Sequence, residues 1–118
     1  MSEIRDFTDL IVWQKAIAVG KLVYELTSRF PREERFGLTL QVRKAVLSVS
    51  SNIAEGHARQ RREFGYFLGV ARGSMAEVES QLLFAVAVGY LTAAEVAPVR
   101  DAAGEIHRMI ASLTSKLS

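Results

Sequence analysis

No cysteine occurs in the chain, which excludes a disulfide framework, a zinc knuckle and any thiol chemistry. Histidine is almost as scarce, with only His57 and His107. Each lies two residues after a glutamate, Glu55 and Glu105. A carboxylate-bridged metal bundle instead needs Glu-x-x-His, because a spacing of three brings both ligands to one helix face. Both histidines therefore read as surface residues, and no metal site is expected. Only two prolines, Pro31 and Pro98, are present to break long helices. No apolar run is long either: Leu82 to Leu91 is about half of the ~20 residues that a membrane-spanning helix needs. The opening Met-Ser-Glu-Ile-Arg-Asp has neither the basic start nor the apolar centre of a secretion signal. A soluble, cytoplasmic protein is the expectation. There is also no alternating strand pattern, nucleophile elbow, phosphate loop or dinucleotide fingerprint. No catalytic residue and no cofactor is assigned, and a non-enzymatic role is expected.

What the chain does have is apolar helix. Its 118 residues are one domain's worth, and 49% of them are hydrophobic, at the high end for a globular domain. The formal net charge is only +2, but it is unevenly spread. From Arg29 to Arg72 there are nine basic and four acidic residues, a surplus of +5; the rest of the chain holds six basic and nine acidic, a balance of −3.

Periodicity predicts four helices, over about 9–29, 32–55, 61–89 and 92–117. In the first, Val12, Ala16, Val19, Val23 and Leu26 recur at spacings of three and four, with Trp13, Ile17 and Tyr24 as a second stripe. Thr8 or Asp9 is the candidate cap, and Phe30-Pro31 the stop. In the second, Leu38, Val42, Ala45, Val49 and Ile53 form one stripe and Phe36, Leu40, Leu47 and Ala54 another; Gly56 is read as the terminating residue. The third carries Phe64, Phe67, Ala71, Met75, Val78, Leu82 and Val86, with Gly65, Gly69 and Gly73 four apart on one side. Mid-helix glycine costs about 0.5–1 kcal/mol against alanine, so a run of them on one side points to a face where another backbone packs closely. The fourth begins with the capping-box spacing of Thr92 and Glu95 and continues through Val96, Val99, Ala103, Ile106, Ile110, Leu113 and Leu117. Short connections between long helices favour an antiparallel up-down all-α four-helix bundle.

A bundle helix ordinarily buries one stripe of about three positions in seven. The middle helices offer more, and soluble monomers rarely leave a long apolar patch wet. Self-association into a homo-oligomer is the expectation.

The chain resembles the four-helix-bundle or 23S rRNA intervening-sequence proteins. The likeness is carried by Phe7-Thr8-Asp9-Leu10-Ile11-Val12-Trp13-Gln14-Lys15-Ala16, by Phe30-Pro31 with Glu34 and Phe36-Gly37-Leu38, and by Gln41-Val42-Arg43-Lys44-Ala45. It continues in Ser48, Asn52-Ile53-Ala54-Glu55-Gly56, Arg59, Phe64, Phe67-Leu68, Ala71, Gly73-Ser74, Glu77, Glu79 and Gly89-Tyr90-Leu91. Lys44 departs from the pattern, where arginine is usual, and the fourth helix is less patterned. The resemblance implies a left-handed up-down bundle that assembles as a ring, commonly a pentamer. Some members of the family are encoded within insertions in ribosomal RNA genes, and related proteins are basic accessory subunits of retroelement reverse transcriptases, binding nucleic acid and the enzyme.

Two sets of polar residues are candidates for function. Arg29, Arg32 and Arg35 at the first turn, Arg59, Arg61 and Arg62 at the second, and Lys44 form a basic set able to contact RNA or DNA phosphates, repeated around an oligomer. No aromatic platform is assigned beside these arginines. Asn52, Glu55, Ser74, Glu77 and Glu79 interrupt otherwise apolar helices, with Arg43 and Arg72 as their expected partners, and read as a structural polar cluster that fixes register. The leading reading is a non-enzymatic oligomeric adaptor touching nucleic acid without reading its sequence. The alternative is a protein-binding scaffold whose third- or fourth-helix groove takes a partner helix.

Overall fold

The sequence pattern resolves into four α-helices and, among the described residues, no strand. The structure is a computed structural model that describes residues 3–117. Helix α1 spans Ile11–Thr27, α2 Leu38–His57, α3 Arg61–Ala87 and α4 Ala93–Leu117, with short 3₁₀ turns at Phe7–Asp9 and Arg32–Glu34. Each helix packs against two others, α1 on α2 and α4, and α3 on α2 and α4, so the diagonal pairs do not meet. The polar pairs between helices fit an up-down run: Arg29 just after α1 reaches Glu95 at the start of α4, and Arg61 at the start of α3 reaches the Lys116 carbonyl at the end of α4.

Most of the predicted stripe residues form the core, while Leu38, Phe64, Val86, Leu113 and Leu117 are only partly buried against it. Val12, Ala16, Val19 and Val23 of α1, Val42, Val49 and Ile53 of α2, Ala71, Met75, Val78 and Leu82 of α3, and Val96, Val99, Ala103, Ile106 and Ile110 of α4 are buried. Leu10, Phe30 and Leu91 close the ends. Leu68 is as buried as Met75, although it lies outside the expected stripes. Removing a Leu or Met side chain from water contributes roughly 1.5–3 kcal/mol, so this layer provides most of the drive to fold.

Helix boundaries differ from the expected ones where side chains compete for the chain. Helix α1 starts at Ile11, not at Asp9, because the Asp9 carboxylate folds back on the amides of Arg5 (2.8 Å) and Asp6 (3.4 Å). With Asp6 accepting from the Thr8 amide, this closes a capping box around a 3₁₀ turn, and Leu10 is extended before α1 begins. Helix α2 starts at Leu38 instead of Arg32. There the Glu34 carboxylate accepts from the Leu38 amide (3.1 Å) and from the Tyr90 hydroxyl (2.7 Å), fixing a separate turn ahead of the helix. Both bonds favour the charged form and hold the Glu34 carboxyl below its ordinary range, the Tyr90 bond more strongly.

Gly56 does not terminate α2. It lies inside the helix and is buried, where an added Cβ would stand 2.6 Å from the Phe67 Cβ and 3.1 Å from Phe64 Cδ1. Glycine is there for close helix approach. The left-handed turn belongs to Gly89, at φ +87°, where the Tyr90 amide bonds the Ala85 carbonyl and the Gly89 amide bonds that of Val86. That pair of bonds is a Schellman ending for α3. Thr92 and Glu95 form the expected capping box, with Glu95 N donating to Thr92 Oγ1 and Thr92 N to Glu95 Oε1. Pro98 lies inside α4, which runs through it.

Candidate functional site

The second stripes of α1 and α2 meet on one side of the bundle. Arg43 ties the two helices together there: Nε donates to the Thr27 hydroxyl (2.9 Å), Nη2 to the Tyr24 carbonyl (3.2 Å), and the guanidinium lies 4.4 Å from the Tyr24 ring centroid. Beside this clamp runs an apolar groove of about 490 Å³ lined by Ala16, Ile17, Gly20, Tyr24, Val46 and Leu47. Its rim is exposed, with Ile17 39%, Tyr24 45% and Leu47 58% accessible, and Leu40 continues the strip at 41%. Scattered apolar residues on a surface are ordinary; a contiguous strip along two helices is not.

The three α3 glycines have no close backbone neighbour within the chain. A Cβ at Gly69 or Gly73 would meet nothing within 4 Å, and one at Gly65 only Leu117 Cδ1 at 3.9 Å. Packing inside this bundle therefore does not explain them.

The two basic ends are not equivalent. At the α2–α3 turn, Arg59 bridges Glu55 (3.0 Å) and Glu63 (3.4 Å) while its guanidinium faces Phe67. Arg61 donates to the Lys116 carbonyl, where the negative end of α4 favours a cation. Only Arg62 of that trio has no ion pair or hydrogen bond among the described residues. At the α1–α2 turn, Arg29 pairs with Glu95, but Arg32 and Arg35 have no carboxylate in reach among the described residues. With Arg43 they line a polar cleft of about 370 Å³ that also takes in Ser28 and Thr39. Phe36 stands beside it, 79% exposed, with the Arg35 guanidinium carbon 5.3 Å from its ring centroid. An aromatic platform is thus present among the arginines, contrary to expectation; its signal was simply that Arg35 and Phe36 are sequence neighbours. Lys44 is exposed on α2, away from both turns.

The polar residues do not gather into one cluster. Ser48 and Ser74 hydroxyls meet at 2.9 Å across α2 and α3, and Asn52 Nδ2 donates to the Ser48 carbonyl (2.8 Å) and hydroxyl (2.9 Å). Glu79 turns the other way, into α4, where it accepts from Arg100 Nε (3.2 Å) and bonds His107 Nε2 (2.9 Å). Arg43 and Arg72 are therefore not the carboxylates' partners: Arg43 serves α1, and Arg72 lies exposed along the α3–α4 groove. Glu55 joins Arg59, and Glu77 is exposed with Gln81 as its neighbour. His107 is half-buried in the Glu79 pair, and His57 packs edge-on against Phe64, so neither is the plain surface residue expected.

Among the described residues, no group of three or more histidine or acidic side chains is placed to hold a metal ion, and no helix is long and apolar enough to cross a membrane. A sequence model of the family described as 23S rRNA-intervening sequence protein matches residues 8–112. No curated protein matches the chain.

Proposed function

The chain belongs to the 23S rRNA-intervening sequence protein family, and from that premise we propose that it is a cytoplasmic, non-enzymatic homo-oligomeric adaptor that contacts RNA or DNA phosphates. The observation that carries this reading is the exposed apolar strip formed by Ile17, Tyr24, Leu40 and Leu47. At roughly 25 cal/mol per Å² of apolar surface removed from water, covering such a strip yields several kcal/mol toward association before ordering costs are subtracted. Assembly as a ring, a pentamer in the family's pattern, repeats every basic spot around an axis. Individually modest phosphate contacts then act together, because each later contact is intramolecular.

A second reading, a scaffold for a partner protein, is favoured by one specific observation: Arg29, Arg59 and Arg61 are already engaged within the chain. Salt separates the two. If the adaptor reading holds, anisotropy of a labelled single-stranded RNA titrated with protein gives an affinity falling about 10-fold or more between 50 and 200 mM salt, as expected for several neutralised phosphates. A salt-independent affinity, or no binding at 50 mM salt, contradicts the nucleic-acid half of the proposal and leaves the scaffold.

A further inference from the structure

The bundle offers two ends to a polyanion, and the observations divide sharply between them. At the α2–α3 end, Arg59 and Arg61 are held by Glu55, Glu63 and the Lys116 carbonyl. A phosphate arriving there would have to displace those partners, and would meet Arg62 as the one arginine of the Arg59, Arg61 and Arg62 trio without a partner among the described residues. At the α1–α2 end, three guanidiniums, those of Arg32, Arg35 and Arg43, line one cleft with the hydroxyl-bearing Ser28 and Thr39. None of the three has a carboxylate in reach among the described residues. The nearby acids are partly accounted for: Glu34 is turned to the Leu38 amide and the Tyr90 hydroxyl, and Glu95 to Arg29 and Thr92. Glu33 remains as an exposed charge on the same turn.

Arg43 is the best prepared of the three. Its position is fixed by the Thr27 hydroxyl, the Tyr24 carbonyl and the Tyr24 ring. Those bonds use two of its five N–H groups and leave three free. A guanidinium already oriented by its surroundings loses little further freedom when it takes an oxyanion, and it can do so with two parallel bonds. The second component is Phe36. Among the described residues it is the most exposed large apolar side chain, and its own neighbour Arg35 borders the cleft. An aromatic face next to a cationic cleft matches one nucleotide of a single strand, its base on the ring and its phosphate among the arginines. A duplex keeps its bases stacked and does not present them this way.

We infer that the α1–α2 turn is a binding site for a single-stranded nucleotide unit, with Arg32, Arg35 and Arg43 holding the phosphate and Phe36 stacking the base, and that the α2–α3 end is not. The inference rests on the adaptor reading for its polymeric ligand, but the phosphate cleft stands apart from it. Sequence neighbours Arg35 and Phe36 serve the two parts of the nucleotide. The Thr39 hydroxyl is a further donor to phosphate oxygens, whereas that of Ser28 is already given to the Glu25 carbonyl (2.6 Å).

The test uses the full chain with two probes, a single-stranded oligoribonucleotide and inorganic pyrophosphate, and four variants. The Arg32→Ala/Arg35→Ala pair should weaken RNA binding at least 10-fold and make its logarithmic salt dependence shallower by up to about 0.7, the value for one phosphate contact on a single strand. Phe36→Leu keeps an apolar side chain but loses the ring face. It should weaken RNA about 10-fold while leaving pyrophosphate binding and the native mass unchanged. Arg43→Lys should weaken both probes, since lysine cannot hold Thr27 and Tyr24 and a phosphate together. Arg108→Ala, exposed on α4 and outside both basic turns, should change neither. Wild-type RNA affinity in both Arg32→Ala/Arg35→Ala and Phe36→Leu overturns the inference while the adaptor reading survives. Pyrophosphate binding that depends on Arg32 and Arg35, without RNA binding by the wild type, supports the phosphate cleft and overturns the adaptor reading. Failure of both probes on the wild type at 50 mM salt overturns both.

Discussion

Replacing Leu47 with glutamate is expected to turn the assembled protein into monomers while each bundle stays folded. Leu47 lies at the middle of the α1–α2 strip and contributes little to the intrachain core, being 58% exposed in the single chain. In a lone bundle the new carboxylate would stand in water and cost almost nothing. Between two copies it would be taken out of water among Ile17, Tyr24 and Leu40, and although Lys21 lines the same groove, burying a charge costs several kcal/mol that a partner repays only with good geometry. About 3 kcal/mol corresponds to a roughly 100-fold weaker association. Sedimentation velocity at micromolar concentration reads the change in mass, and circular dichroism confirms the helices. A Leu47→Glu protein with the wild-type mass means that the strip is not the contact.

The second large effect is expected inside the chain. Gly56→Ala places a methyl 2.6 Å from the Phe67 Cβ and 3.1 Å from the Phe64 ring. The Phe67 Cβ is fixed to the backbone of α3 and cannot swing aside, so α2 and α3 must separate. Overpacking of this kind typically costs 1–3 kcal/mol, partly offset by up to ~1 kcal/mol of better helix propensity. A net loss of about 1–2 kcal/mol lowers the melting temperature by roughly 4–10 °C in a domain of this size. Gly69→Ala is the control: with nothing within 4 Å, the same substitution should gain ~0.5–1 kcal/mol by propensity alone. Equal melting of both variants would show that the α2–α3 approach at Gly56 is not tight.

How much of this was legible in the sequence follows from which signals are local. The core stripes are, because a period of 3.6 residues sets burial on every helix alike; Val12 to Val23 and Val96 to Ile110 fall out of spacing alone. So is the Thr92–Glu95 capping box. The function of Gly56 was not legible, because a glycine near the end of a helix looks the same whether it terminates the helix or admits a neighbouring aromatic. Only the position of Phe64 and Phe67 on another helix decides that. The pairing of Glu79 with Arg100 and His107 likewise spans 21 and 28 residues, beyond any local pattern. The basic set was visible as composition. Its division into engaged and open arginines was not, since the Arg29–Glu95 pair spans 66 residues and the Arg61–Lys116 pair 55. Arg35 and Phe36 are sequence neighbours, but whether they form one surface depends on the turn that places them, which helical periodicity does not describe.

The proposed adaptor role begins from copies of the chain covering each other's α1–α2 strip. The native mass of the purified wild-type protein, measured by light scattering behind size exclusion at micromolar concentration, tests that directly. The expected result is a discrete multiple of the 13.1 kDa chain, five-fold if a pentameric ring is formed, in low and in high salt alike. A single 13.1 kDa species across the same concentrations would contradict it.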